Sequence, residues 1–157
     1  MTKLRKKFPE VFRTVDHSKV LPEVKHSIVH EIKLFEHPKR VRPYRLADQY
    51  HEPVKAMFDE MLEIGIVRRS ASFHVSPLLV VPKKDGRLRP CVDYRNLNAA
   101  TIADNYPLPR IDDMVGKIQG SVFSNIDLKD GFYHIPIREK DIEKTAVATP
   151  WGAFEYT

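Results

Sequence analysis

The run Phe123-Ser124-Asn125-Ile126-Asp127-Leu128-Lys129-Asp130-Gly131-Phe132-Tyr133 decides the fold. It reads as a short strand that carries one aspartate to its end and then turns into an aromatic pair. Val122, Ile126 and Leu128 alternate with Phe123, Asn125 and Asp127, which places Asp127 on the less apolar face. A carboxylate on a rigid strand end suits a hard divalent cation. An ordinary turn residue at the end of a strand fits the same local pattern. A calcium-loop reading of residues 127–131 fails, because the alternate positions lack oxygen ligands.

Upstream, Ser76-Pro77-Leu78-Leu79-Val80-Val81 is an apolar strand, Asp85-Gly86 is a strong turn signal, and Leu88 to Tyr94 returns. The tip of this hairpin projects Lys83, Lys84, Arg87 and Arg89. Charge at a tip also protects strand edges from aggregation, but arginine close to the turn suits phosphates. Before it, the spacing of Val54, Met57, Phe58, Met61 and Leu62 predicts a helix from about Asp48 to Ile64, with Asp48 as cap, Pro53 in the first turns and Gly65 as the left-handed stop. A second helix is expected over Pro109 to Ile118, with Pro109 at the first helical position and an apolar face of Ile111, Met114, Val115 and Ile118. A strand at Ser27 to Leu34, a short charged helix at Glu139 to Lys144, and a hairpin of Thr145 to Thr149 and Ala153 to Thr157 complete the pattern. Residues 1–26 read as a connector, with one short helix around Glu10 to Arg13, and His37 to Arg45 as an extended basic stretch. Helices grouped between antiparallel strands make the fold class α+β.

A chain of 157 residues fits one domain with a real core, and 42% hydrophobic content excludes general disorder. The formal charge of +5 favours a polyanionic partner, weakly in total but more clearly in its two clusters. One cluster is Lys39, Arg40, Arg42 and Arg45; the other is Lys83, Lys84, Arg87, Arg89 and Arg95. Cys91 is the sole cysteine, which excludes an intrachain disulfide, points to a reducing compartment and reads as a buried structural thiol. The seven histidines are scattered without zinc-ligand spacing. No signal peptide or membrane span is legible, so the expected location is intracellular, cytoplasmic or nuclear, with no membrane partner.

Several ordered motifs carry a resemblance: Gly65-Ile66-Val67, Ser76-Pro77-Leu78, Lys84-Asp85-Gly86, Arg89-Pro90-Cys91-Val92-Asp93-Tyr94-Arg95-Asn96-Leu97-Asn98, Tyr106-Pro107-Leu108-Pro109-Arg110-Ile111-Asp112-Asp113, and Phe123 to Gly131. Together, over residues 27–157, they resemble the reverse transcriptase of Ty3/Gypsy-type retrotransposon polyproteins. The resemblance implies a right-hand polymerase, with fingers at about 27–108 and the start of the palm at about 109–157. It implies that Asp127 is catalytic and binds Mg²⁺ with the carbonyl of Leu128. Lys83 and Arg89 would take the β- and γ-phosphates of a deoxynucleoside triphosphate, and Asp130 would lie at the rim of its pocket. Phe132 falls where the family places an aromatic gate against a 2′-hydroxyl, although a core aromatic fits it equally, and Tyr133 fits the core better. Lys84, Arg87 and Arg95 would contact an RNA or DNA template-primer, while Asp93 and Arg95 also look structural within the fingers.

The family pattern continues into a Tyr-x-Asp-Asp turn with further metal-binding aspartates, which residues 1–157 do not contain. Asp112 and Asp113 are better explained by the start of a helix. The isolated chain is therefore expected to hold Mg²⁺ weakly or not at all, and to need the rest of the polyprotein to polymerise. Two alternatives stand beside this: a non-catalytic nucleic-acid-binding remnant, and a decayed product that never folds stably.

Overall fold

The computed structural model describes residues 6–9, 24, 26–39, 41–123, 125 and 131–157. Helix α1 (His51–Glu63) follows a single 3-10 turn, Asp48–Tyr50. Its apolar spacing does what the sequence requires: Val54 and Phe58, one turn apart, are fully buried, and Met61 and Leu62 pack beside them. Pro53 lies in the first turn, where a missing N–H costs nothing. Gly65 ends the helix with a φ of 81°. The expected cap is not formed. Asp48 lies inside the 3-10 turn and makes no capping bond. A backbone bond from the Tyr50 N–H to the Ala47 carbonyl (2.9 Å) secures the start instead.

Strands β1 (Val67–Arg69), β2 (Ser76–Pro82), β3 (Leu88–Val92), β4 (Val147–Thr149) and β5 (Gly152–Tyr156) form one sheet in the order β1-β5-β4-β2-β3. Only the β2–β4 pairing is parallel; the others are antiparallel. The core is the layer between α1 and this sheet: Val54 and Phe58 against Val67, Leu78, Val147 and Phe154. The Phe58 and Phe154 rings meet at 5.1 Å between centroids, tilted by 48°. Strand β1 was not expected, because its sequence is mostly polar. Its register explains it. Arg69 pairs with Phe154 and lays its guanidinium 4.4 Å from the centroid of that ring, while Arg68 pairs with Glu155 on the opposite face. The buried Glu155 accepts from Arg68 Nε (2.7 Å) and Ser70 Oγ (2.6 Å).

Helix α2 (Arg95–Ala100) was not anticipated either, and buries Leu97 and Ala100. Tyr94, at its N-cap, donates to the Thr145 carbonyl (2.7 Å) and so ties the helix to the approach to β4. Helix α3 is shorter than expected, Ile111–Val115. Arg110 is its N-cap, so Pro109 stands before the helix and not at its first position. The face made by Ile111, Met114, Val115 and Ile118 is exposed. The expected short helix at Glu139 is a 3-10 helix, Glu139–Thr145, and another 3-10 segment covers Gly131–His134. Of the expected strand Val122 to Leu128, position 124 and positions 126–128 lie outside the described residues, and Val122, Phe123 and Asn125 belong to no strand. The expected helix at Glu10 to Arg13 also lies outside them.

The segment from Ser27 to Leu34 is a strap rather than a strand. Its ladder contacts are two isolated bridges, His30 with Ile137 and Leu34 with Thr101. One buried carboxylate fixes it. Asp141 accepts from the Ile32 N–H (3.1 Å), from Arg138 Nε (2.9 Å) and from Lys144 Nζ, which also donates to the Ile32 carbonyl (2.7 Å). The strap pairs with residues 100–102 on one side and 136–138 on the other, so this clasp joins α2 to the 3-10 helix before β4.

Burial by itself raises the Asp141 pKa, but Lys144, Arg138 and the Ile32 N–H together outweigh it and hold the carboxyl at about 2, below the ordinary 3.8. A depressed folded-state value means that the clasp's contribution is complete above the unfolded value and is lost as pH falls toward about 2. Melting curves at stepped pH should show the wild type losing stability between about pH 4 and pH 2. Asp141→Asn should start lower at neutral pH and decline less over that window. Parallel curves for the two proteins would contradict this role.

Candidate nucleic-acid interface

The β2–β3 hairpin separates apolar anchor from charged tip by simple alternation. Its register pairs Leu78 with Val92, Leu79 with Cys91, Val80 with Pro90, Val81 with Arg89, and Pro82 with Leu88. Leu78, Val80, Leu88 and Val92 pack on or around the core. Leu79, Val81 and Arg89 therefore share the outer face, and all three are exposed. Cys91 belongs to that outer face too and is only half-buried, which corrects the expected buried thiol.

At the tip the chain turns as expected. The Lys83 N–H bonds the Arg87 carbonyl (2.7 Å), the Gly86 N–H bonds the Lys83 carbonyl (3.0 Å), and Gly86 has a φ of 81°. The four tip cations then divide. Arg87 is folded back on Asp85, with its Nε 2.8 Å from Oδ2 and its backbone N–H 3.1 Å from Oδ1. That guanidinium holds the Asp85 carboxyl below its usual range. Lys83, Lys84 and Arg89 are exposed and form no salt bridge among the described residues. The hairpin thus presents three cations outside any salt bridge among the described residues near a tight turn, with Arg89 beside the small apolar surface of Val81.

At the base of the hairpin Arg95 opens α2 and grips Asp93. Its Nε donates to Oδ1 (2.8 Å) and its Nη2 to Oδ2 (2.6 Å). Asp93 is buried, and its backbone N–H is tied to the Pro77 carbonyl of β2 (2.9 Å). The Arg95 side chain and backbone N–H pull the Asp93 carboxyl far below the ordinary carboxylate range, against the opposing effect of burial, and the Tyr44 hydroxyl adds to the pull. Tyr44 was missed in the sequence, where nothing but its basic neighbourhood marked it.

Phe132 lies in the Gly131–His134 segment and is 82% exposed, so it is not a core side chain of this chain, whereas Tyr133 is half-buried. The expected strand-end site, Asp127 with Leu128 and Asp130, lies outside the described residues. Among the described residues no three His, Cys, Asp or Glu side chains come together as metal ligands. His37 and His74 stack with their centroids 5.3 Å apart. Among the described residues no helix is long and apolar enough to cross a membrane.

Comparison with known proteins agrees with this architecture. Residues 81–155 match the family described as reverse transcriptase (RNA-dependent DNA polymerase), a span that starts inside the hairpin. The retrovirus-related Pol polyprotein from transposon 297 of Drosophila melanogaster is 40% identical over 121 residues, covering 73% of this chain and 11% of that protein. The transposon Tf2-3 polyprotein of Schizosaccharomyces pombe is 34% identical over 154 residues, covering 96% of this chain and 12% of that protein. In fold, the prototype foamy virus protease-reverse transcriptase superposes with a TM-score of 0.77 at 20% identity, over 99% of this chain and 21% of that one. The chain belongs to the reverse transcriptase family. It corresponds to a fragment of that domain, and its relatives are polyproteins of Ty3/Gypsy-type retrotransposons. It spans 11–12% of the length of those curated relatives.

The tip's geometry can be probed separately from any ligand. At Gly86 an added Cβ meets nothing within 4 Å, so the only penalty of Gly86→Ala is its φ of +81°. The substitution should cost about 1 kcal/mol in urea unfolding with the m-value unchanged. A cost near zero would mean that the turn is not held in this conformation.

Proposed function

We propose that this chain supplies the fingers, over about residues 27–108, and the first part of the palm, over about 109–157, of a polymerase that extends a DNA primer on an RNA or DNA template. The observation that carries the reading is the placement of Arg89. It lies within the matched family segment, on the exposed face of the hairpin, and among the described residues no carboxylate pairs with it. A guanidinium so placed offers a planar fork to phosphate oxygens, and Lys83 adds a second cation at the same turn. Together they bind the β- and γ-phosphates of an incoming deoxynucleoside triphosphate and stabilise charge that grows during transfer. Lys84 and Arg95 contact nucleic-acid phosphates, and Arg87 joins them by exchanging its Asp85 partner. The exposed ring of Phe132 sits under the sugar and disfavours a 2′-hydroxyl, and the family motif assigns Leu128 and Asp130 to the same nucleotide.

Asp127 and the Leu128 carbonyl are the oxygen donors this chain contributes toward Mg²⁺, the donor type that a hard cation prefers. When bound, the metal supplies charge neutralisation at the phosphates. Deoxynucleoside triphosphates, a template-primer and the remainder of a polyprotein are the partners of this reading.

The test is primer extension by a polypeptide that contains this chain together with the rest of the polymerase. Asp127→Asn should abolish extension while template-primer binding persists. Arg89→Ala should raise the KM for deoxynucleotides and lower kcat by about tenfold or more, in line with the loss of a charged contact made in the transition state. Extension that survives Asp127→Asn would overturn the proposal.

A further inference from the structure

Phe132 is 82% exposed, so packing around the ring does little to fix where it points. Its direction is inherited from the backbone of the Gly131–His134 segment and of the residues that follow it. The strap holds that backbone. The His30 N–H donates to the Pro136 carbonyl (2.8 Å), the Arg138 N–H donates to the His30 carbonyl (3.0 Å), and Arg138 Nη1 reaches Glu31 Oε1 (2.9 Å). Further along, the Asp141 clasp fixes the strap at Ile32.

One more contact extends this pairing to the Phe132 segment itself. His26 Nε2 lies 3.0 Å from the carbonyl oxygen of His134, the last residue of that segment. The other ring nitrogen settles the direction of the bond. Nδ1 receives the Ile28 N–H (3.2 Å), and an amide N–H can only donate, so Nδ1 holds the lone pair and Nε2 carries the proton. The Ile28 bond also orients an imidazole that is otherwise exposed. His26 is thus aimed by its own turn, and its ring donor goes to the backbone two residues after Phe132.

We propose that His26 is a positioning residue: through the His134 carbonyl it holds the Phe132 ring at a fixed height beneath the sugar, and so sets how strongly a ribonucleotide is rejected. The inference rests on the sugar-contacting role of Phe132 proposed above. A 2′-hydroxyl is rejected by a clash, and a clash discriminates only where the group that makes it cannot retreat. A ring on a loose turn yields to the extra oxygen, whereas a ring on a tethered turn does not. His26 acts through the backbone and touches no substrate.

The experiment is single-nucleotide incorporation by a polypeptide that contains this chain together with the rest of the polymerase. It measures kcat/KM for matched deoxy- and ribonucleoside triphosphates. His26→Ala should lower the deoxy-to-ribo ratio about fivefold, the scale of one ordinary hydrogen bond, chiefly by admitting the ribonucleotide. His26→Asn keeps an acceptor for the Ile28 N–H but is too short to reach His134, and should lose as much as His26→Ala. His26→Gln extends an amide N–H toward the same carbonyl and should retain most of the ratio. In a Phe132→Ala background, which should itself discriminate poorly, His26→Ala should change the ratio little. A merely structural role would lower the melting temperature, or both rates together, and leave the ratio unmoved. A wild-type ratio in folded His26→Ala and His26→Asn overturns the inference, as do losses from His26→Ala and Phe132→Ala that simply add; either leaves the polymerase reading standing. If His26→Ala does not fold, the Asn and Gln variants decide, and equal ratios in the two overturn the inference. A wild-type ratio in Phe132→Ala would instead remove the sugar-contacting role on which it depends.

Discussion

The contact between Phe58 on α1 and Phe154 on β5 is the constraint from which the rest of the structure follows. Both rings are essentially without solvent exposure and meet at 5.1 Å. Burying a side chain of this size contributes about 1.5–3 kcal/mol, and an aromatic pair adds about 0.5–1.5 kcal/mol. That contact fixes the helix over the centre of the sheet. Phe154 aligns with Val147 of β4, and β4 runs parallel to β2, so the same packing sets where the hairpin joins the sheet. A hairpin alone is marginal in water. This one is held at its base by a core that the tip never touches.

Charge follows the same division between anchor and display. Carboxylates in or near the core are saturated: Asp141 by Arg138, Lys144 and a backbone N–H, Glu155 by Arg68 and Ser70, and Asp93 by Arg95 and Tyr44. Each ties distant stretches together, since a buried charge is tolerated only where donors converge on it. At the hairpin tip the balance reverses, with Lys83, Lys84 and Arg89 in no salt bridge among the described residues. The fold uses its ion pairs to close the base and leaves its spare positive charge where a polyanion can reach it.

Much of this was legible in the sequence because it is local. The 3.6-residue spacing of Val54, Phe58 and Met61 and the Asp85-Gly86 turn encode their geometry within a few residues, and α1 and the hairpin follow them closely. What sequence reading missed depends on partners far away. Arg68 and Arg69 look like a solvated run until Glu155 and Phe154 are set opposite them. The strap looks like a strand by alternation, yet it is held by a carboxylate 109 residues away. Tyr44 carries no local signal, because its partner is 49 residues distant. In the candidate site, the tip cations were found by type and place, but nothing in the sequence separated Arg87, which pairs with Asp85, from Arg89, which has no salt bridge among the described residues. Asp127, Leu128 and Asp130 rest on the family motif, since they lie outside the described residues.

The central claim is that a core-anchored hairpin displays free cations to phosphate while the layer behind it stays fixed. Backbone amide spectra recorded while a template-primer is titrated into the chain test this most directly. The account predicts progressive shifts at Lys83, Lys84, Arg89 and Arg95, with Val54, Phe58 and Phe154 unmoved. Shifts that spare the hairpin, or that spread through α1 and β5, would contradict it.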